Sequence, residues 1–301
     1  MCVKYCETRL FKFACHVYGL SKRVVPAYSS RFSKKTYTLH QHLAVLLLKA
    51  KTGCRFHELE ELLVLSPRLC EALELDRVPD HTTMCRALKR LKPVVFTLLL
   101  VLTGSLLPAS GKVAVDATGF DRRHASKHYV KRCKMTLSSM KTTYAVDTES
   151  LMFLGVHTTV TRKHDSQIIL PLVEEVLKHF PVKVLAADKG YDSKHVRDTL
   201  RGRGIRPLIK HREFTSLDKA HNKRIKPEDY NQRSMNETNN STVKRKYGDT
   251  LTTKTYWTQV RETLLTAITH NIDRYINTIK SLLTQGLQRS LIFGMGIPCK
   301  L

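Results

Sequence analysis

The sequence predicts an α/β protein in which a mixed sheet, flanked by helices, follows a small all-helical N-terminal domain. Three observations predict this class. Apolar residues recur at helical spacing over residues 37–109, short apolar runs that end in aspartate follow residue 110, and one of these runs begins a strand–helix–strand unit. With 301 residues, the chain is long enough for one larger and one smaller domain.

The N-terminal part divides into a segment without a prediction and a helical domain. Residues 1–36 are basic and weakly patterned, and no structure is predicted for them. Three segments of the domain at 37–109 have the apolar spacing of helices: residues 39–51, 55–64 and 66–75. A further helix, capped by Asp80 or Thr82, carries basic residues outside its apolar face. This succession is compatible with a helix-turn-helix that binds DNA, but a plain helical bundle with solvated charges has the same pattern.

A change of composition at residues 108–111 marks the start of a second domain, which we predict over residues 110–280. Residues 281–301 are expected to form a tail. The domain begins with an apolar strand at residues 112–118 that has Asp116 at its end. A carboxylate in an apolar strand usually has a function, because burying it costs free energy.

The rest of the second domain is predicted from alternation and short apolar runs. Residues 140–146 and 151–160 alternate as a hairpin. Asp165 is expected to cap the helix that follows, and for that reason it is not assigned to a catalytic site. A strand–helix–strand unit with parallel strands is predicted over residues 182–187, 193–203 and 205–209. Asp188 directly follows the first of these strands.

The net charge indicates the kind of partner. The chain has 51 Lys and Arg against 26 Asp and Glu, a net charge of +25. Residues 201–255 alone contain 14 Lys and Arg against 6 Asp and Glu, and a long basic loop is predicted between the strand at 205–209 and the helix that carries Tyr230. Such an excess favours a polyanion, with nucleic acid ahead of a membrane surface. A basic protein of another kind, such as a ribosome-associated factor, is not excluded by charge alone.

The sequence does not predict a membrane protein. The longest apolar run, residues 93–109, contains several small polar residues and is shorter than the roughly 20 apolar residues that cross a bilayer. The N-terminus does not have the pattern of a secretory signal, and the eight cysteines are scattered. A soluble, reducing, cytoplasmic setting is therefore expected.

Two groups of metal-ligating residue types need to be weighed. Cys2, Cys6, Cys15 and His16 have an irregular spacing for a zinc site, and ordinary thiols are the favoured interpretation. His124, His128 and Cys133 lie in a very basic segment, where contacts to DNA are favoured over a metal site. The basic residues of that segment predicted to contact DNA are Arg122, Arg123 and Lys127.

Tyr230, Arg233, Glu237 and Lys244 form a pattern of chemically distinct residues. At about 100° per residue on an α-helix, the last three lie at roughly 300°, 340° and 320° from Tyr230. All four therefore share one stripe of a helix. Three charged groups and an aromatic ring do not make a core surface, but they can face a phosphate backbone.

This spacing resembles the Tyr-two-Arg-three-Glu-six-Lys signature of the DDE transposases of the insertion-sequence four and five superfamily. The resemblance covers about residues 110–275 and includes VAVDATGF and AADKGYDS. It implies a ribonuclease-H-like fold. The implied metal ligands and catalytic residues are Asp116, Asp188 and Glu237. Contacts to the DNA end are implied for Tyr230, Arg233 and Lys244, and the adjacent Arg245 and Lys246 are predicted to contact DNA as well.

The resemblance also implies the reaction and its cofactor. Two Mg²⁺ or Mn²⁺ ions shared by three carboxylates can activate the nucleophile and neutralise the leaving oxygen in phosphodiester cleavage. Cleavage at terminal inverted repeats is then followed by strand transfer into target DNA, without a covalent protein intermediate. Tyr230 is therefore expected to stack or hydrogen-bond near the cleaved end, with helix packing as the structural alternative. A homodimer or larger synaptic assembly on double-stranded DNA is expected, because two ends must be processed together.

Two other functions remain compatible with the sequence. A ribonuclease-H-like nuclease would cleave DNA without joining it, and a strand-transfer assay separates this class from a transposase. A catalytically inactive DNA-binding protein derived from a transposase is the other alternative. The intact acids argue against the inactive form.

Overall fold

The computed structural model describes residues 8–122, 124–125, 139–161, 163–226, 230–231 and 233–284, with side chains to residue 282. Six helices come first in the described part of the chain: α1 (Arg9–Val24), α2 (Leu39–Thr52), α3 (Phe56–Val64), α4 (Pro67–Ala72), α5 (His81–Arg90) and α6 (Pro93–Gly104). The described residues of the second half form a sheet and five further α-helices.

The N-terminal helices confirm the predicted helical region and extend it. Asp80 caps α5, since its Oδ1 accepts a hydrogen bond of 2.8 Å from the amide of Thr82. Helix α1 lies within residues 1–36, for which no structure was predicted. Its N-cap is Thr8, whose side chain accepts from the Phe11 amide, and the helix buries Phe13 and Val17 against the bundle.

The strands of the sheet are β1 (Lys112–Asp121), β2 (Ser139–Asp147), β3 (Phe153–Thr159), β4 (Val184–Ala187) and β5 (Arg206–Ile209). Their order is β3-β2-β1-β4-β5. The first three are antiparallel neighbours, and β4 and β5 run parallel to β1. A three-stranded meander extended by parallel crossover strands is the topology of a ribonuclease-H-like fold, as predicted.

The helices of this half are α7 (Asp165–Leu177), α8 (Lys194–Gly202), α9 (Ser216–Arg224), α10 (Ser234–Tyr247) and α11 (Tyr256–Thr284). The predicted parallel unit is present as β4, α8 and β5. Ser193 caps α8, and Gly204 ends the connection with a φ of +72°, a left-handed conformation that glycine adopts without strain.

Three local predictions were wrong. β1 continues to Asp121, so Asp116 lies in the middle of the strand and not at its end. The segment predicted as a long basic loop contains α9, which begins with a capping box between Thr215 and Asp218. Asp165 makes no cap, because it is the first residue of α7 and its carboxylate pairs with Lys141.

Helix α11 joins the two halves of the molecule. It packs against α2 and α6 on one side and β3 on the other. Ile268, Ile272 and Tyr275 are buried, as their helical spacing predicts. Asn271 fixes the helix to β3, since its Oδ1 accepts from the Phe153 amide at 2.7 Å. Among the described residues, no helix is both long and apolar enough to cross a membrane.

Candidate active site

Two of the predicted acids are brought together by the parallel pairing of β1 and β4. Val115 is in register with Ala187. The next residue in each chain segment is an aspartate, so Asp116 and Asp188 lie side by side at the same level of the sheet. Asp188 follows the end of β4 and begins the short 3₁₀ turn Lys189–Tyr191. Its carboxylate is about half exposed, whereas that of Asp116 is partly buried within the sheet.

Helix α10 brings the third acid to this pair, and asparagines hold the helix in place. Asn236 Nδ2 donates to the carbonyl oxygens of Ala114 and Tyr144, both at 3.0 Å. Asn239 Nδ2 donates to the carbonyl of Leu151, in the turn between β2 and β3, at 3.0 Å. Because residues three and four apart share a helix face, these amides fix how α10 lies on the sheet.

A further asparagine of the same helix contacts a catalytic candidate directly. Asn240 Nδ2 donates to Asp116 Oδ2 at 3.1 Å. None of these asparagines was predicted as a site residue from the sequence. Their signal was a set of amides at positions i, i+3 and i+4 in a segment with few apolar residues, which is the face that packs on the sheet.

Arg233 connects the remaining two acids. Its Nη1 lies 2.9 Å from Glu237 Oε1 and 3.4 Å from Asp188 Oδ1. The three predicted carboxylates therefore meet beside the carboxyl end of β4, with a guanidinium between two of them. Glu237 lies in the first turn of α10 and is about half exposed. Because the Arg233 guanidinium bridges two of the carboxylates, the group of three acids attracts positive charge.

The predicted helical stripe is interrupted at Arg233, although Tyr230 itself is helical. Helix α10 begins at Ser234, and Arg233 lies in a turn whose amide bonds to the Tyr230 carbonyl at 3.1 Å. Tyr230 still lies at the site. Its ring has Lys210 Nζ 4.4 Å and the Arg233 guanidinium 5.6 Å from its centroid. Burial raises the pKa of Tyr230, so its hydroxyl remains a hydrogen-bond donor at neutral pH.

The electrostatics of Asp116 agree with a metal ligand. Burial raises the pKa of Asp116, and the negative charge of Glu237 raises it further. The Ala117 amide, Arg233 and Asn240 lower the pKa, but they do not outweigh burial. Hard carboxylate oxygens are the ligands that Mg²⁺ and Mn²⁺ prefer, and a bound cation would favour the ionised form of Asp116. The carboxylates of Asp116, Asp188 and Glu237 therefore fit the predicted Mg²⁺ or Mn²⁺.

The second aspartate of the DKGYDS motif, Asp192, has a structural role. Asp192 pairs with Arg197 through Oδ1 and accepts from the Arg212 amide through Oδ2 at 3.1 Å. The Arg212 side chain in turn reaches the carbonyl of Gly190 at 3.4 Å. These contacts hold the turn that follows Asp188.

The other side chains predicted to contact DNA differ in how exposed they are. Lys244, Arg245 and Lys246 lie in the last turns of α10, where Arg245 and Lys246 are exposed and Lys244 lies 5.9 Å above the Phe120 ring. Arg122 is 4% exposed, and its Nε donates to Gln259 Oε1 at 2.8 Å. This burial contradicts a DNA contact through its side chain.

Some predicted residues lie outside the described part of the chain. They are Arg123 and Lys127 among the predicted DNA contacts, and Cys2, Cys6, His128 and Cys133 among the possible metal ligands. Of the first cysteine group, Cys15 is exposed, and His16 contacts the Lys12 carbonyl and the edge of the Tyr275 ring. Neither residue belongs to a cluster of metal-ligating side chains within the described residues.

Comparison with known families identifies the class of this protein. A model of the transposase DDE domain matches residues 108–272, which is more than half of the 301 residues. The chain therefore belongs to the DDE transposase family. The matched region contains the whole sheet and all three acids of the site.

Among solved structures, the chain is similar to a piggyBac transposase in a synaptic complex with hairpin DNA, determined by cryo-EM. The two share 8% sequence identity with a TM-score of 0.46, over 91% of this chain and 73% of that chain. No curated protein matches the chain.

Proposed function

We propose that this chain is the transposase of an insertion sequence of the four and five superfamily. It cleaves double-stranded DNA at the terminal inverted repeats of its element and joins the freed 3′ ends to target DNA. The observation that carries the proposal is the convergence of Asp116, Asp188 and Glu237, with Arg233 bridging two of them.

In this proposal the three carboxylates hold Mg²⁺ or Mn²⁺, two ions per site. The ions supply activation of the attacking oxygen and neutralisation of the leaving oxygen. Asn240 orients the carboxylate of Asp116, since it donates to Oδ2 and leaves Oδ1 for other contacts. Asp188 and Glu237 are exposed enough to approach a DNA strand, and Arg233 moves from the acids to a phosphate when DNA binds.

The remaining side chains bind the DNA. Tyr230 stacks on or hydrogen-bonds to the cleaved end, and Lys244, Arg245 and Lys246 contact the backbone. Contacts of this kind release counterions, so binding weakens steeply as the salt concentration rises. The enzyme acts in the cytoplasm as a homodimer or larger assembly that holds both ends of the element.

The test is cleavage and joining of labelled DNA that carries the ends flanking the coding sequence of this chain. The wild type is compared with Asp188→Asn in Mg²⁺ and in EDTA. The matched control is Asp198→Asn, which changes an exposed aspartate on α8 that pairs with Arg201 at the surface. We expect cut and joined products with the wild type and the control in Mg²⁺, and none with Asp188→Asn or in EDTA.

Other outcomes would select another function. Metal-dependent cutting without joined products would establish a nuclease of the same fold. Salt-sensitive binding to the ends without cutting would identify an inactive DNA-binding derivative. Normal cutting by Asp188→Asn would remove this aspartate from the site.

A further inference from the structure

A second group of ligating side chains lies in the N-terminal helical bundle, at the junction of α3 and α5. His57 and Glu60 are three residues apart on α3 and therefore lie on one face of that helix. His81 is the first residue of α5. Glu60 Oε2 accepts from the His81 amide at 2.9 Å and lies 3.1 Å from His81 Nδ1.

The donor atoms of this group are close together. One ligand atom from each of His57, Glu60 and His81 lies within 4.8 Å of the others. The two imidazole rings have their centroids 3.6 Å apart at an angle of 31°. Asp80 adds a second carboxylate, since its Oδ2 lies 3.2 Å from His81 Nδ1 while its Oδ1 caps α5.

We propose that His57, Glu60 and His81 bind a divalent first-row metal ion such as Zn²⁺, with the neighbouring carboxylate of Asp80 as the fourth ligand. Two imidazole nitrogens and one or two carboxylate oxygens are ligands that Zn²⁺ accepts in a tetrahedral site. This donor set differs from the oxygen ligands of the three acids, so the two sites favour different metals.

Small side-chain movements are enough to form the site. Ligands about 2.0–2.2 Å from a tetrahedral ion lie roughly 3.4 Å from one another. The ligand atoms, now within 4.8 Å of one another, therefore need to approach by little more than an ångström. His57 is exposed, and the side chains of His81 and Glu60 are each about one third exposed, so an ion has access from solvent.

A bound ion would fasten α3 to α5. It would take the place of the hydrogen bond between His81 Nδ1 and Glu60 Oε2, and it would add His57 to the contact between the two helices. Because ions bind the folded cluster and not the separated ligands, Zn²⁺ should stabilise the protein.

The first measurement is calorimetric titration of the full chain with Zn²⁺. All variants carry Asp188→Asn, which weakens metal binding at the three acids. We expect one equivalent of Zn²⁺ to bind at the bundle. His57→Ala should lower the affinity of this site for Zn²⁺ by more than about tenfold. Removing a residue that only hydrogen-bonds to a metal ligand already costs about tenfold or more, and removing a ligand should cost at least as much.

The matched control is His195→Ala, which removes an exposed imidazole on α8. This variant should bind Zn²⁺ as the parent does. Because His57 is exposed, its loss should leave the fold intact, which circular dichroism verifies. A second readout is the melting temperature, which Zn²⁺ should raise in the parent and in His195→Ala, but not in His57→Ala.

Equal Zn²⁺ affinities for His57→Ala and His195→Ala would overturn the proposal, as would a parent that shows neither heat on titration nor a rise in melting temperature with Zn²⁺. Either result would mean that the cluster has a structural role alone: Glu60 and Asp80 cap the start of α5, and the two imidazole rings pack on each other. The proposal does not depend on transposase activity, since none of its measurements includes DNA.

Discussion

Arg233 is the residue through which Asp188 and Glu237 are held together. Its guanidinium occupies carboxylate oxygens that a metal ion would need, and its charge repels a cation. We predict that Arg233→Ala binds Mn²⁺ more tightly than the wild type in the absence of DNA, by up to about fivefold, because a partly exposed ion pair contributes about 1 kcal/mol. Electron paramagnetic resonance of free Mn²⁺ measures this affinity.

The control for Arg233 is Arg245→Ala, which removes an exposed guanidinium from the other end of α10. It should leave Mn²⁺ affinity unchanged. Weaker Mn²⁺ binding by Arg233→Ala would show that the arginine orders the two carboxylates for the metal and does not compete with it.

Asn240 favours the ionised form of Asp116 at the same site, against the larger effect of burial. The pKa of Asp116 is raised by burial, so protons compete with a metal at a higher pH than for an ordinary aspartate. Mn²⁺ affinity should therefore fall as the pH is lowered through this raised pKa. Asn240→Ala removes a donor that favours the charged carboxylate, so the midpoint of this fall should move to higher pH. Titrations of Mn²⁺ over a pH series measure the midpoint.

The linked effect on stability has a defined sign. For an acid whose pKa is higher in the folded state, ionisation disfavours folding, so the metal-free protein loses stability as the pH rises through that pKa. Asn240→Ala should enlarge this loss. A midpoint for Mn²⁺ binding that is unchanged in Asn240→Ala would mean that the hydrogen bond to Asp116 Oδ2 has no influence on the carboxylate.

Helix α10 is the element that determines the site, and its packing depends on amides more than on apolar residues. Asn236 is fully buried, and its amide nitrogen serves two carbonyl groups of β1 and β2. Asn236→Ala should lower the free energy of unfolding by about 2 kcal/mol, since buried acceptors lose their partner. Denaturant unfolding measures this change. Asn231→Ala, an exposed asparagine before the helix, should change it by less than about 0.5 kcal/mol.

The elements differ in how well the sequence predicts them, for physical reasons. The hairpin β2–β3 and the unit of β4, α8 and β5 have clear periodicity and clear ends, such as Ser193 and Gly204, and both predictions were confirmed. Helix α10 was predicted only from the spacing of its functional residues, because its buried face is made of asparagines, which a search for apolar spacing does not detect. The acids Asp116 and Asp188 were identified because apolar strands precede them, whereas Asn240 has no such signal.

At the scale of the whole molecule, the two predicted domains share one hydrophobic core. Buried residues of α1, α2 and α6 continue into those of β3 and α11. Arg261 of α11 also donates to the carbonyl groups of Leu88 and Lys89 near the end of α5. The boundary near residue 110 was predicted from composition alone. The shared core could not be predicted, because contacts between distant segments leave no local pattern in the sequence.

A nearly buried polar cluster connects the site helix to the bundle. Asp273 of α11 pairs with Lys51 of α2, and its Oδ2 also accepts from the hydroxyl of Tyr247, the last residue of α10, at 2.6 Å. The side chains of Asp273 and Lys51 are 10% and 24% exposed. Asp273→Ala should therefore lower the free energy of unfolding by about 2 kcal/mol, because it leaves a partly buried ammonium and the Tyr247 hydroxyl without this partner.

The double variant Asp273→Ala/Lys51→Met tests this cause. It removes the ammonium but keeps its apolar stem, so it should recover much of the stability lost in Asp273→Ala. Denaturant unfolding of the single and double variants gives the coupling free energy between the two residues. If the double variant were as unstable as Asp273→Ala, the loss would belong to the Tyr247 hydroxyl and its hold on α10, and Tyr247→Phe alone should then reproduce it.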